Sequence, residues 1–101
     1  MYSLLKPCKT SAAFEAIPRE RFSIDLDRCE EILKPVCTIV AHAGVLLIVC
    51  DRCEVSIHTN GRLILKTDSQ EIASEQAGRI AGWLAGTPAI QKHRDLRIPR
   101  G

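Results

Sequence analysis

Apolar positions in this chain recur at two different spacings, and the spacing changes several times along its length. In "RERFSIDLDRCEEILKP", Leu26, Cys29, Ile32 and Leu33 return every three or four residues. That is one face of a helix. Ser23 or Asp25 can cap its first amides and Pro35 ends it. After it come four runs rich in β-branched residues: "VCTIVAH", "VLLIVC", "EVSIHT" and "RLILKT". Ala43-Gly44 separates the first two and Asn60-Gly61 the last two, so the runs predict two hairpins. Asn-Gly is the pair that a two-residue type I′ turn favours. "DSQEIASEQAGRIAGWLAG" returns to helical spacing. Its stripe is Ala73, Ala77, Ile80, Ala81 and Leu84, Asp68 with Glu71 resembles a capping box, and Gly86 and Pro88 close it. One more strand is predicted at the front, residues 10–16, "TSAAFEA", closed by Pro18.

The predicted order is β-α-β-β-β-β-α. It describes an α+β two-layer sandwich: a five-stranded antiparallel sheet with two helices on one face. Residues 1–86 form the domain. Residues 87–101, polar and basic, are expected to be a flexible tail.

Turn geometry fixes an expected register. A two-residue Ala43-Gly44 turn sets His42 opposite Val45, with Cys37 across from Cys50. A two-residue Asn60-Gly61 turn sets Thr59 opposite Arg62, with Val55, Ile57 and Ile64 on one face and Ser56, His58, Leu63 and Leu65 on the other. Helices cover only one side of such a sheet. The side left open is expected to carry Val40, His42, Val45, Leu47, Val49, His58, Leu63 and Leu65. Half-solvated antiparallel sheets alternate apolar and polar, whereas this side would be apolar throughout. An open patch of that kind marks an interface. Arg62 and Lys66 beside it would supply phosphate contacts to a nucleic-acid partner.

Composition changes this picture little. The chain has 101 residues, 46% hydrophobic and 26% charged, with a formal charge of +2. These values suit one ordinary folded domain. The charge is too small to indicate nucleic-acid binding by itself. Basic residues do gather late: Lys92, Arg94, Arg97 and Arg100 against Asp95. No apolar window reaches the ~18 residues of a membrane helix. The start of the chain lacks the pattern of a secretory signal, so a cytoplasmic location is expected.

In that setting the five cysteines are expected to be reduced thiols or metal ligands. Cys50-x-x-Cys53 joins two predicted strands, and Cys37 lies across from Cys50. Together they offer three ligands toward a zinc or iron–sulfur site, with Cys8 as a possible fourth. The alternative is that buried thiols act as small apolar side chains. Ser, His and Asp form no recognisable nucleophile motif. No glycine-rich phosphate loop is present. A non-enzymatic protein is therefore expected.

The chain also resembles a single repeat of the TATA-box-binding protein fold. "EVSIHTNGRLILKTDSQEIASEQAGRI" has the shape of that family's small-residue-Gly-basic turn, the apolar strand after it and the capped helix that ends the repeat. "RFSIDLDRCEEIL" resembles the family's first helix and its leucine-aspartate-leucine entry. The likeness runs through most of residues 10–85. It implies a curved half-saddle with helices on the convex side. The family carries two repeats in one chain, so the resemblance implies a homodimer here, paired through the first strands. Family members bend DNA with aromatic wedges. Here His58 stands before the Asn60-Gly61 turn, and the phenylalanines are Phe14 and Phe22. Three readings follow. The first is a dimeric module whose open face binds nucleic acid or protein. The others are a small metal-binding protein and a structural oligomer subunit.

Overall fold

The computed structural model describes residues 2–7 and 12–92. Strands β1 (Tyr2–Pro7), β2 (Phe14–Pro18) and β3 (Phe22–Ile24) precede helix α1 (Leu26–Leu33). Then come β4 (Thr38–Ala43), β5 (Leu46–Cys50), β6 (Glu54–His58), β7 (Leu63–Lys66), helix α2 (Gln70–Leu84) and β8 (Ile90–Lys92). The main sheet has six strands in the order β1-β2-β7-β6-β5-β4, and all of its neighbours are antiparallel. The short β3 and β8 pair with each other.

The α+β class, the two helices and the four-strand meander between them agree with expectation. The first strand is shifted: it is β2, at Phe14–Pro18 rather than residues 10–16, and residues 10–11 lie outside the described part. The additional strand β1 pairs with it. Of the two expected caps the later one, Asp25, is used, and residues 22–24 before it are extended. Asp25 caps α1, accepting from the backbone N–H of Asp27 and Arg28. Ser69, not Asp68, caps α2 by accepting from Ile72 N–H. Residues 87–92, assigned from the sequence to the tail, pack onto the domain. Ala89 is fully buried, its carbonyl accepts from Asp25 N–H at 2.8 Å, and Ile90 pairs with Ile24. Residues 93–101 lie outside the described part.

Both hairpin turns differ from the predicted ones, and the differences decide which side chains meet. Between β6 and β7, Ile57 faces Leu63, so the loop has an extra residue. Gly61 N–H donates to His58 C=O at 2.9 Å, and Gly61 has φ +94°. This is the three-residue hairpin loop with glycine in the left-handed position. A one-residue slip moves every later side chain to the other face. Leu63 and Leu65 therefore join Val55 and Ile57. Between β4 and β5, Ala43 faces Leu46, which leaves Gly44-Val45 as the turn. A bulge at Val40 then brings Ile39 opposite Val49.

The result is a sheet with one strongly apolar face. Leu47, Val49, Val55, Ile57, Leu63 and Leu65 are each fully buried. They form one core with Leu26, Cys29 and Leu33 of α1 and Ala73, Ile80 and Leu84 of α2. α1 packs over β4 and β5, while α2 packs over β7, β2 and β1. Each such aliphatic burial contributes roughly 1.5–3 kcal/mol, which explains why these six side chains recruit both helices.

Candidate interaction surface

The expected open surface is divided by this register. Leu47, Val49, Leu63 and Leu65 are not on it; they are core residues beneath the helices. The extra residue in the Thr59-Asn60-Gly61 loop aligns Leu63 and Leu65 with Val55 and Ile57, and the β5–β6 register sets Leu47 opposite Ile57 and Val49 opposite Val55. His42 is also on the helix side. Its Nδ1 lies 2.6 Å from Glu30 Oε1 and its Nε2 3.7 Å from Asp27 Oδ1, both on α1. Val40 and Val45 are exposed, at 53% and 69%, but they lie in the bulge and in the turn at the sheet rim. Of the predicted surface residues, His58, Arg62 and Lys66 remain toward the helix-free face.

That face has a different lining. One row across the sheet reads Glu15, Ile64, Ser56, Ile48 and Ala41. Beside it His58 pairs with Leu46, and beyond it Lys66, Glu54, Cys50 and Thr38 follow in register. Ile17, Leu46, Ile48 and Ile64 are partly exposed and stand outside the core cluster. Ser56 is 8% exposed and Glu15 7%, so neighbouring side chains shelter the centre of the row although no helix covers it. Two of its cations are already engaged: Arg62 pairs with Glu15, and Lys66 Nζ lies 3.2 Å from Glu54 Oε2. Sequence reasoning missed Ile64 because the predicted Asn60-Gly61 turn placed it beneath the helices, and Ile48 because the helices were assigned to the wrong side of β5.

The Cys50-x-x-Cys53 loop is held by α2. Gln76, fully buried, accepts through Oε1 from the N–H groups of Arg52 and Cys53 at 2.5 and 2.9 Å. Its amide donates to Asp51 Oδ2 at 3.0 Å. Arg79 closes the network at 2.7 Å from the same oxygen and lies 4.9 Å from the Trp83 ring centroid. Burial acts to raise the Asp51 pKa, but the Arg79 and Gln76 hydrogen bonds outweigh it and hold the carboxyl below its ordinary range. Cys50 is exposed, while Cys53 is buried and belongs to the core cluster. Cys37 is partly buried against that core. Among the described residues no three His, Cys, Asp or Glu side chains gather into a set able to hold a metal ion. Burial pushes the thiols of Cys29 and Cys37 up to about 12 and about 11, and that of Cys53 up as well. Such thiols are poor nucleophiles at neutral pH.

No described helix is long and apolar enough to cross a membrane. No family model, no curated protein and no solved structure matches the chain. What the fold defines is a two-layer α+β domain with one helix-covered and one helix-free sheet face.

Proposed function

We propose that this chain is a non-enzymatic protein-binding module that docks its partner on the helix-free face of the sheet. One observation carries the reading. Ile48 and Ile64 flank Ser56 in one row and stay partly exposed, while Arg62 and Lys66 beside them are paired with Glu15 and Glu54. Apolar area with internally paired charge at its margin suits a protein partner. Phosphates want unpaired cations, and Arg62 and Lys66 would have to leave their carboxylates to reach them. The resemblance to the TATA-box-binding fold supports the same layout, with helices on one side and the ligand on the other. In that family the ligand is DNA, which makes nucleic acid the competing reading.

Two measurements separate these readings. Proximity crosslinking with the full chain is expected to trap a protein partner that Ile64→Glu loses while circular dichroism stays native. Fluorescence anisotropy with mixed-sequence duplex DNA and single-stranded RNA is expected to show no more than weak binding. Tight binding to either nucleic acid that falls steeply between 50 and 200 mM salt would overturn the protein-partner reading.

A further inference from the structure

Two strands form the rims of the main sheet, β1 and β4. A rim strand leaves N–H and C=O groups without a strand partner, and rims are ordinarily blunted by lysine, proline or charge. β1 carries such protection: Lys6 and Pro7 are both exposed. β4 does not. It reads "TIVAHA", with no Lys, Arg, Asp, Glu or Pro. Its one ionisable side chain, His42, is turned onto Glu30. Among the described residues the bulge at Val40 is its one blunting device. The exposed large hydrophobics of the described residues all gather along this rim: Val36 just before β4, Val40 within it and Val45 in the turn that leaves it.

Backbone chemistry at such a rim calls for another extended strand. Charge indicates which strand. His42, near the end of β4, touches Asp27 in the first turn of α1 and Glu30 one turn later. Lys34, at the C-cap of α1, stands four residues before Thr38, where β4 begins. Helix and rim strand therefore run in opposite directions. Asp27 and Lys34 are seven positions apart, about two turns, so they share a side of α1. That side overhangs β4, because Asp27 reaches His42. The Asp27 side chain is 91% exposed, and Lys34 is exposed. A two-fold axis across β4 sets the start of one rim strand beside the end of the other. Asp27 of each copy then faces Lys34 of its mate.

We propose that the chain forms a two-fold dimer by antiparallel pairing of β4 with β4 of a second copy, flanked by Val36, Val40 and Val45 and closed by Asp27–Lys34 pairs between the two α1 helices. The seam is isologous: each copy gives the patch it receives. It differs from the first-strand seam implied by the family resemblance, since β2 is interior here, between β1 and β7. Both helix-free faces stay open in this dimer, so the proposal does not rest on the protein-binding reading.

Sedimentation equilibrium and native mass spectrometry on the full chain test it. The wild type is expected to be dimeric at micromolar concentration. Val40→Lys places a charge on the rim and should leave a folded monomer. Asp27→Lys should raise the dimer dissociation constant roughly ten-fold or more, because two opposed pairs become repulsive. Adding Lys34→Glu to Asp27→Lys should restore wild-type association. That rescue keeps the test decisive even if Val40→Lys fails to fold. A monomeric wild type overturns the proposal. So does a dimer that survives both Val40→Lys and Asp27→Lys, or one that only Ile64→Glu dissolves.

Discussion

Gln76 shows how much one side chain organises here. It reaches from α2 into the loop between β5 and β6 and satisfies two backbone donors that burial would otherwise leave without an acceptor. Gln76→Ala removes those acceptors and leaves a cavity. Chemical denaturation is expected to show a loss of about 2–4 kcal/mol. Glu75→Ala, one residue earlier and exposed, removes only the surface pair with Arg52 and should change stability by less than about 0.5 kcal/mol. Cys29 makes a second residue-scale prediction. Burial first, then the negative fields of Cys37, Asp25 and Glu30, push its thiol from 9.0 up to about 12. Between those values the unfolded chain has released a proton that the folded chain still holds. Stability is therefore intact below pH 9 and falls as pH rises toward 12. Cys37, raised to about 11, acts in the same direction. Under reducing conditions the urea midpoint should drop progressively above pH 9. Cys29→Ala should be less stable at neutral pH but decline less steeply; an unchanged slope would count against this assignment.

At the scale of elements, the Thr59-Asn60-Gly61 loop matters most. Gly61 has φ +94°, and a Cβ there would lie 2.8 Å from Phe22 Cε1 and 3.1 Å from Pro18 Cγ. Backbone strain and steric conflict act together, so Gly61→Ala is expected to cost about 1–3 kcal/mol. Tyr2 also depends on this loop, donating its hydroxyl to the Gly61 carbonyl at 2.5 Å. Gly78 is the opposite case. It sits on the exposed side of α2 with nothing within 4 Å of a built Cβ. Gly78→Ala should stabilise by about 0.5–1 kcal/mol through helix propensity alone. Thermal melts of the two variants, run side by side, should move in opposite directions. The Asn-Gly dipeptide announced a turn correctly. Its length was not legible, because two- and three-residue loops both accept glycine there. The strength of α1 was legible: Leu26, Cys29 and Leu33 are its buried residues, as their spacing requires.

At the scale of the molecule, the described residues form a six-stranded sheet with both helices on one side and a small β3–β8 pair. The side the helices cover determines what each mutation means. Leu47→Asp and Leu65→Asp place a carboxylate at fully buried core positions. An unpaired buried charge exceeds what a domain of this size can bear, so both variants are expected to unfold rather than expose a binding defect. Ile64→Glu, on the helix-free face, should remain folded with a cooperative melt. Finding Leu65→Asp folded would place the core on the wrong side of the sheet. The amino-acid pattern alone was enough to read the α+β class, both helices and the meander between them. Those follow from local periodicity, capping and turn chemistry, which depend on residues close together in the chain. It grouped Leu47, Val49, Leu63 and Leu65 on one face but assigned them to the open side, whereas they line the core. Long-range pairing sets which side chains face the helices, lays β1 against the first predicted strand, and brings residues 89–92 onto β3. A bulge and one extra loop residue invert alternation without changing composition, and long-range pairings leave no local periodic trace.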